Sequence, residues 1–346
     1  MRIDELKGLM RRRRLDQAFV MGQANVRALT GVNCDNAILE VVRTRRGDRE
    51  RFAVAFYTDF RYVPMVHRVA PELTCRDIRR FRPSGVRIGY EGAISHARFL
   101  AMQKKAPKAT FVDVAQNLAA IRAVKTPDEI AALRAAERLN CEIWMDAQRQ
   151  FRAGMTEREM ARIIQKMMIE RGEGEAFDTI VCVGKNAAEC HHEPDETVWN
   201  GRDPVLVDMG VRLGGVCSDL TRNVRPRRAS RAYREVYDLV LRANRAAIAA
   251  ARPGMTGRAL DKVARDVIRA GGFGKCFGHS LGHGVGYEIH ESPYASKKGE
   301  MTLKPGMLVT IEPGIYLEGN LGVRIEDLVL ITETGCEVLS DFAPVD

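Results

Sequence analysis

The strongest constraint on the fold of this chain is an internal repeat in its C-terminal part. Residues 152–158 read RAGMTER, and residues 252–258, which lie 100 positions later, read RPGMTGR. Nine identities keep this offset: Arg152/Arg252, Gly154/Gly254, Met155/Met255, Thr156/Thr256, Arg158/Arg258, Gly172/Gly272, Gly174/Gly274, Phe177/Phe277 and Gly184/Gly284. In each copy a threonine precedes an amphipathic pattern of helical period and a glycine follows it, as in capped helices. Chance similarity between two helix starts does not extend this far, so we expect two similar halves related by a pseudo-twofold axis.

The first half ends in a predicted β-hairpin that carries two aspartates. The stretch VLVDMG at 205–210 reads as a buried strand, and VCSDLTR at 216–222 reads as the returning strand. A hairpin centred between Leu213 and Gly214 would place Asp208 opposite Asp219.

The second half ends in a matching hairpin that carries two glutamates. The chain runs out through LVTIEPG at 308–314 and back through VRIEDLVL at 323–330, so a hairpin centred on Gly319 would place Glu312 opposite Glu326. Four buried carboxylates in one place would repel one another, and divalent cations remove that conflict. The alternative is that the acids lie on exposed edges or pair with the many arginines. Because the acids recur at repeated positions beside histidines, we favour a metal site.

Histidines are concentrated next to these acids. The segment HSLGHGVGYEIHESP at 279–293 contributes three of them, and a pair precedes it in the first half. They are His279, His283 and His290, and His191 with His192. Gly282 and Gly284 flank His283, which allows the backbone to pack closely there. An oxygen-rich site with one imidazole suits Mn, Co, Fe or Zn, and the hard oxygen ligands favour Mn.

Composition and charge exclude several classes of protein. The formal net charge is +9, with arginine clusters at 11–14, 45–51 and 225–231. No nucleic-acid motif accompanies these clusters, so we interpret them as a solvated surface and expect no nucleic-acid partner. No run of about 18 or more apolar residues occurs, and the first residues lack the apolar segment of a secretory signal. These features predict a cytoplasmic protein without a membrane partner.

The eight cysteines are scattered and form no Cys-x-x-Cys pair, which favours reduced thiols over a disulfide framework. Cys190 precedes His191 and His192, but adjacent residues rarely all reach one ion, so we discount a separate zinc site there. Cys217 lies two residues before Asp219. It is either a redox-sensitive thiol near the acids or a small packing residue, and we favour packing.

Residues 1–122 alternate short helical and strand patterns, which predicts a separate α/β domain. A helix is expected at 4–10, and strands are expected at 17–21, 37–42, 51–58 and 86–90. The sequence Thr126-Pro127-Asp128-Glu129 then starts a helix, because the threonine can cap it, the proline fits the first turn and the glutamate completes a capping box. We therefore expect a second, catalytic domain over residues 123–346.

These motifs resemble those of the pita-bread metallopeptidases, in the Xaa-Pro branch of aminopeptidase P and prolidase. The matching stretches are VDMG with SDLTR, HSLGHGVGYEIHESP, TIEPGIY and GVRIED. Weaker marks, LTG at 29–31 and TDFRY at 58–62, resemble a creatinase-type N-terminal domain. The resemblance covers essentially the whole chain. It implies an α+β fold, in which a smaller α/β domain precedes a pseudo-symmetric catalytic domain with a curved antiparallel sheet and helices on its outer face.

The resemblance also implies roles for individual residues. Asp219 and Glu326 would bridge two divalent metal ions, and Thr221 would support the ligand shell. The full ligand set would be Asp208, Asp219, His283, Glu312 and Glu326. The catalytic and substrate-contacting residues would be His191, His279, His290, Glu312 and Arg324. The family normally carries an apolar residue and a proline before His191, where this chain has Glu189-Cys190.

The reaction implied is hydrolysis of the bond before proline in short peptides, by an enzyme that we expect to be a homodimer. Two metal ions that share a water lower its pKa towards neutrality, so a bridging hydroxide is the expected nucleophile. One alternative is a creatinase-like hydrolase of small amidines, and another is a catalytically silent binding module of the same fold. The sequence does not separate an aminopeptidase from a dipeptidase.

Overall fold

The computed structural model describes residues 2–343, and the chain divides into two compact units, residues 1–122 and 123–346. The N-terminal unit is a mixed α/β structure, and the larger C-terminal unit combines long helices with antiparallel strands. Among the helices of residues 2–343, none is both long and apolar enough to cross a bilayer.

The N-terminal unit is built on one sheet, which has six strands within residues 2–122. The strands are β1 (Gln17–Val20), β2 (Ile38–Arg46), β3 (Arg49–Thr58), β4 (Thr74–Asp77), β5 (Arg87–Tyr90) and β6 (Thr110–Asp113). They lie in the order β4-β3-β2-β1-β5-β6, with antiparallel pairing of β2 to β1 and β3 and parallel pairing elsewhere. The helices are α1 (Ile3–Arg13), α2 (Gln23–Thr30), α3 (Val63–Val69), α4 (His96–Lys105) and α5 (Ala115–Ala123).

The apolar runs of this unit predicted four of its strands to within a few residues at each end. The strands β4 and β6 were not predicted. Their sequences, TCRD and TFVD, are short and contain no apolar run, so their pairing depends on the parallel neighbours β3 and β5 rather than on local pattern.

The C-terminal unit contains long helices in two pairs and strands that pair only in antiparallel fashion within the described residues. The helices are α6 (Pro127–Gln148), α7 (Glu157–Arg171), α8 (Arg231–Ala250) and α9 (Gly257–Ala270). The strands of the first half are β7 (Ile180–Val183), β8 (Val205–Met209), β9 (Arg212–Leu213), β10 (Val216–Cys217) and β11 (Leu220–Val224). Those of the second half are β12 (Gly282–Gly284), β13 (Glu291–Ala295), β14 (Leu308–Ile311), β15 (Gly314–Leu317), β16 (Leu321–Arg324), β17 (Asp327–Ile331) and β18 (Cys336–Val338).

The sequence repeat corresponds to a structural repeat. Thr156 caps α7 and Thr256 caps α9, each by accepting a backbone N–H in the first turn of its helix. Both threonines also form an antiparallel bridge to the chain that follows, Thr156 with Val198 and Thr256 with Thr302. The predicted capping box at the start of α6 is present as well. Each half is therefore a pair of helices followed by antiparallel strands, as the repeat predicts.

Each half of the C-terminal unit has its own apolar core between helices and strands. In the first half, Trp144 of α6 and Met160 of α7 belong to one cluster with Val207 of β8. In the second half, Tyr237 of α8 and Leu260 of α9 belong to another cluster with strands β14 to β17. Burial of such side chains contributes about 1.5–3 kcal/mol each, so each helix pair is held to its own strands.

Strand alternation places the predicted acids on the face away from the helices. Val207 and Met209 enter the helix-side core of the first half, so Asp208 between them faces the opposite side. Ile311 enters the core of the second half, so the side chain of the next residue, Glu312, points to the opposite side. In each half the acid therefore lies on the side of its own strand that faces away from the helix-side core.

The register of the first hairpin differs from the prediction. Asp208 pairs with Thr221 rather than with Asp219, because the turn is centred between Gly214 and Gly215. Both glycines have positive φ, +60° and +68°, as a tight two-residue hairpin turn requires. Leu213 would be strained at such a position, so the turn moves by one residue and the pairing by two.

The second hairpin has the predicted register. Ile311 pairs with Asp327 and Gly314 pairs with Arg324, on either side of a break in the ladder. Glu312 and Glu326 therefore face each other within this break. Their amides bond to other segments, that of Glu312 to the carbonyl of Leu281 and that of Glu326 to the carbonyl of Thr221.

Candidate metal centre

The side chains that the sequence singled out line one cavity of about 550 Å³ in the C-terminal unit. They are Asp208, Asp219, His283, Glu312 and Glu326, together with His191, His279, His290 and Arg324. The acids come from strand ends or the breaks beside them, His283 comes from β12, and His191 lies on the loop that follows β7. Residues from both halves of the repeat thus meet at one place.

Three of these residues form a buried group with the dimensions of a cation site. Asp219, His283 and Glu326 each offer one ligand atom, and these atoms lie within 4.8 Å of one another. The Nε2 atom of His283 lies 3.5 Å from Asp219 Oδ2 and 3.4 Å from Glu312 Oε1. Its Nδ1 lies 3.1 Å from the carbonyl oxygen of Gly284, to which it donates, so the lone pair of Nε2 is directed at the carboxylates. A lone pair that faces carboxylate oxygens is repelled by them unless a cation or a proton lies between.

Asp208 gives independent support for a cation. Its Oδ2 accepts a hydrogen bond of 2.6 Å from Nη2 of Arg324. Its Oδ1 is buried and has no hydrogen-bond partner among residues 2–343. A buried anionic oxygen without a partner is costly, and a divalent ion would satisfy it.

Crowding and burial raise the pKa values of the acids. Burial and the neighbouring carboxylates hold the pKa of Asp219 and that of Glu326 well above their usual range. Burial also raises the pKa of Glu312 to about 8, against the opposing effect of the Arg324 guanidinium. The protein without metal therefore holds protons where a metal-loaded site would hold cations, which fits a donor set built for divalent ions.

Two threonines and a glutamate orient the acids. Thr221 donates to Glu326 Oε2 at 2.7 Å, and Thr310 donates to Glu312 Oε1 at 3.2 Å. Glu137 of α6 accepts the backbone N–H of Asp219 at 3.1 Å. Thr221 was expected from the sequence, whereas Thr310 and Glu137 were not. Both could have been found in the sequence. Thr310 lies two residues before Glu312 and so points to the same side of the strand, and Glu137 is an acid on the apolar face of an amphipathic helix.

A network of hydrogen bonds forms the cavity wall beside Asp208. Arg324 donates to the hydroxyl of Tyr316 at 2.9 Å, and that hydroxyl lies 2.8 Å from His279 Nε2. His279 Nδ1 lies 2.7 Å from the carbonyl oxygen of Ser280 and donates to it, so Tyr316 is the donor to Nε2. Burial and the charge of Arg324 lower the pKa of His279 to about 4, which keeps its ring neutral. No role for Tyr316 was expected from the sequence, although this residue lies within the TIEPGIY motif.

The other two histidines have different surroundings. His290 stacks edge-to-face on His283, with 4.3 Å between ring centroids, and burial lowers its pKa. Burial, with the nearby His290, lowers the pKa of His283 itself to about 4. His191 is exposed at the cavity rim. Both His191 and His290 therefore present their rings to the cavity.

The glycines beside His283 are required by close packing, as predicted. A Cβ at Gly282 would overlap the carbonyl of Thr310, and a Cβ at Gly284 would overlap the carbonyl of Ser292.

Cys217 is fully buried in an apolar cluster that contains residues of both halves, including Val285 and Leu328. Its surroundings are those of a packing residue.

A second cavity, of about 600 Å³, lies in the N-terminal unit. Two of its arginines already pair with acids of their own loops, Arg61 with Asp59 and Arg79 with Asp77. These two ion pairs neutralise part of the charge that lines this cavity. The smaller cavity holds the acids and histidines that suit metal chemistry.

Family models match both parts of the chain. The model described as metallopeptidase family M24 matches residues 131–333, and the model described as the Creatinase/Prolidase N-terminal domain matches residues 2–124. The chain therefore belongs to metallopeptidase family M24. Members of this family depend on a dinuclear metal centre, in agreement with the cluster of acids and His283.

Named relatives agree with this assignment. The Xaa-Pro dipeptidase of Pyrococcus furiosus is 39% identical over 254 residues, which cover 73% of each chain. The solved structure of the Xaa-Pro dipeptidase from Bacillus anthracis superposes with a TM-score of 0.90 at 28% identity, covering 100% of this chain and 98% of that one. The X-Pro aminopeptidase from Thermotoga maritima gives a TM-score of 0.83 at 30% identity, covering 97% and 98%. The pita-bread fold with a creatinase-like N-terminal domain, expected from the motifs, is confirmed.

Proposed function

We propose that this protein hydrolyses the Xaa-Pro bond of short peptides with two divalent metal ions in the cavity of the C-terminal unit. The observation that carries the proposal is the convergence of five potential ligands, one of which, Asp208, has a buried oxygen without a partner. The names of the relatives support the substrate class. A cavity of about 550 Å³ also has the size of a small-molecule site, as a short peptide requires.

The side chains divide between two metal positions. Asp208 would serve one ion, His283 and Glu312 would serve the other, and Asp219 and Glu326 would serve both. Two divalent ions in such a site supply Lewis-acid chemistry for amide hydrolysis near neutral pH. The four carboxylates are hard oxygen donors, so we propose Mn²⁺, with Co²⁺, Zn²⁺ and Fe²⁺ as the ions to compare.

Glu312 is placed to move a proton. Its Oε1 is fixed by Thr310, whereas its Oε2 lies 3.8 Å from His279 Nδ1 and faces the cavity wall used by substrate. We assign Oε2 as the atom that carries a proton to the leaving nitrogen, which must be protonated before proline departs.

His191 and His290 are assigned to substrate. Their rings make no hydrogen bond with the described part of the chain, and both line the cavity, so they are available to a peptide carbonyl or carboxylate. Both ring nitrogens of His279 are already engaged, by Tyr316 and by Ser280. The neutral His279 and the cationic Arg324 therefore form one wall of the cavity. Both contact the hydroxyl of Tyr316, and Arg324 also orients Asp208.

The test uses the full-length protein stripped of metal and then reloaded with Mn²⁺, Co²⁺ or Zn²⁺. Hydrolysis of Ala-Pro and Ala-Pro-Ala is measured, with Ala-Ala as the control peptide. Cleavage of Ala-Pro alone assigns a dipeptidase, and cleavage of Ala-Pro-Ala assigns an aminopeptidase. Asp219→Asn should abolish either activity. Failure to cleave any proline-containing peptide with every metal would refute the proposal.

A further inference from the structure

We propose that Glu157 is a positioning residue of the substrate site, which holds the loop 184–197 and thereby fixes His191 at the cavity rim. This inference rests on the proposed function, because His191 is assigned there to substrate. Glu157 is the first residue of α7, and its side chain is fully buried. It does not line the cavity.

The carboxylate of Glu157 accepts four hydrogen bonds from both flanks of the loop. Its Oε1 accepts from the backbone N–H of Val183 at 2.6 Å and from Asn186 Nδ2 at 2.9 Å. Its Oε2 lies 2.7 Å from His192 Nε2 and accepts the backbone N–H of Asp195 at 3.1 Å. One buried side chain thus joins the end of β7 to the segment beyond His191.

These contacts describe a hydrogen-bond hub and not a second metal site. Glu157, His192 and Asp195 are close enough to enclose an ion. However, Oε1 of Glu157 already accepts from two N–H donors and Oε2 accepts from the backbone N–H of Asp195, while Oε2 and His192 Nε2 lie 2.7 Å apart and need a proton between them. His192 must then carry its proton on Nε2. The negative charge is stabilised by these donors and by the N-terminus of α7.

The repeat shows that Glu157 serves the loop and not the helix. The backbone frame is the same in both halves: Glu157 N–H donates to Thr197 and Gly257 N–H donates to Met301. In the second half, however, the position is glycine, and a Cβ there would overlap the carbonyl of Tyr294. The start of the helix therefore does not require a carboxylate at this position. The carboxylate occurs only in the half of the repeat that contains the His191 loop.

His191 lies between two anchored neighbours. On one side, the carbonyl of Cys190 accepts from Arg324 Nη1 at 3.4 Å. On the other, the ring of His192 is held by Glu157. The bond from His192 N–H to the carbonyl of Glu189 is internal to the loop. The next attachment beyond His192 that does not use the Glu157 side chain is at Asp195, whose carbonyl accepts from Arg158 N–H at 3.2 Å. Loss of the Glu157 contact therefore releases one side of His191.

The test compares four variants of the full chain. Glu157→Gln keeps the shape but presents an NH₂ group to donors, and His192→Met removes the donor at similar size. His192→Gln keeps a donor at the Nε2 position. Ile164→Val, on the buried face of the same helix, is the control for loss of packing. Steady-state kcat and KM on Ala-Pro, bound metal per chain, and hydrogen exchange of peptides within 184–197 are measured for each.

Misplacement of a substrate-positioning group costs on the order of ten- to a hundredfold in rate. We expect Glu157→Gln and His192→Met to lose about tenfold or more in kcat/KM, with unchanged metal content and faster exchange in the loop. His192→Gln should recover most of the loss seen with His192→Met. Ile164→Val should alter neither kcat/KM nor loop exchange.

The inference is overturned if Glu157→Gln retains the kcat/KM and loop exchange of the unchanged protein, or if His192→Gln and His192→Met behave alike. Should Glu157→Gln fail to fold, the two His192 variants decide the question. If the unchanged protein cleaves no Xaa-Pro peptide, the proposed function fails, and loop exchange alone then tests the positioning role. The two failures are therefore distinguishable.

Discussion

At the scale of single residues, the carboxylates of the cavity share one arrangement. Glu326, Glu312 and Asp208 each have one oxygen fixed by a donor, which is Thr221, Thr310 and Arg324 respectively. This leaves the second oxygen of Glu326 and that of Asp208 for a cation. In Glu312 the oxygen fixed by Thr310 is also the one that lies 3.4 Å from His283 Nε2, so Oε1 faces the cation position and Oε2 stays available for a proton. Donors of this kind orient a ligand before the metal binds and tune its basicity. Their removal should therefore affect metal affinity as well as stability.

Thr221 offers the sharpest test of this arrangement. Thr221→Val removes the donor to Glu326 and the acceptor for Arg324 Nε, which lies 3.1 Å away, and it leaves the volume nearly unchanged. Because buried polar groups then lack partners, we expect a loss of about 1–3 kcal/mol in the free energy of unfolding and about a tenfold weaker metal affinity. Thr221→Ser, which keeps the hydroxyl, is the matched control. Equal metal affinity for the Val and Ser variants, measured by titration calorimetry, would contradict the prediction.

The raised pKa values predict proton release on metal binding. Burial raises the pKa of Glu312 to about 8, and burial with the neighbouring carboxylates raises the pKa of Asp219 and that of Glu326, so the metal-free site binds protons more tightly than free carboxyl groups do. A cation must displace these protons, so the apparent affinity should rise with pH until about pH 8 is passed. Calorimetry in two buffers of different ionisation enthalpy should give different heats at pH 7. Identical heats would show that no proton is released.

The sequence was sufficient to predict which residue types converge, but of the neighbours that orient them only Thr221 and Arg324 were expected. The acids were recognisable because each half ends in a hairpin that carries two of them, and His283 was recognisable because it lies in the histidine-rich segment HSLGHGVGYEIHESP. Thr310 and Tyr316 belong to the same motifs, yet a hydroxyl near an acid has many structural explanations in a sequence. Glu137 lies on α6, far along the chain from Asp219, so only the fold brings the two together.

At the scale of elements, the first hairpin shows where sequence reasoning failed and why. The apolar pattern correctly predicted strands on either side of the turn, but it does not define the centre of the turn. That centre is set by the need for positive φ at two successive residues, and only Gly214 and Gly215 meet it without strain. The second hairpin was predicted correctly because its turn contains Gly319, with φ of +70°, at the symmetric centre.

Gly214 tests this explanation. No atom lies within 4 Å of the position that a Cβ would occupy there, so a side chain meets only the conformational penalty of a φ of +60°. Gly214→Ala should therefore lower the free energy of unfolding by about 1–2 kcal/mol. Gly214→Asn should cost less, since asparagine tolerates this region. Denaturant unfolding of the metal-free protein measures both, and an Ala variant as stable as the Asn variant would argue against the turn geometry.

At the scale of the whole molecule, the repeat explains both the architecture and the site. Each half has a separate helix-side core, and the acids of the two halves face the opposite side of their strands. Neither half alone provides enough ligands for two ions. The sequence predicted this much because a fixed offset of 100 residues is a global pattern. It did not predict the hub at Glu157, because that residue departs from the repeat.

The stability of the C-terminal unit should depend more steeply on pH without metal than with it. In the metal-free protein, a raised acid pKa contributes stability that is complete below the unfolded pKa and is lost as the pH rises through about 8. His279 and His283, with pKa values lowered to about 4, act in the opposite direction, but only below the unfolded histidine pKa of about 6.5. Between about pH 6.5 and 8.5 these acids, and not the histidines, therefore determine how the stability changes with pH, and the metal-free protein should lose thermal stability as the pH rises.

Saturating Mn²⁺ removes the repulsion between the acids and adds about 4 kcal/mol to the free energy of unfolding at a thousandfold excess over Kd. The gap in Tm between loaded and stripped protein should thus widen across this window; a gap that stays constant or narrows would show that the acids are not the groups that the metal neutralises.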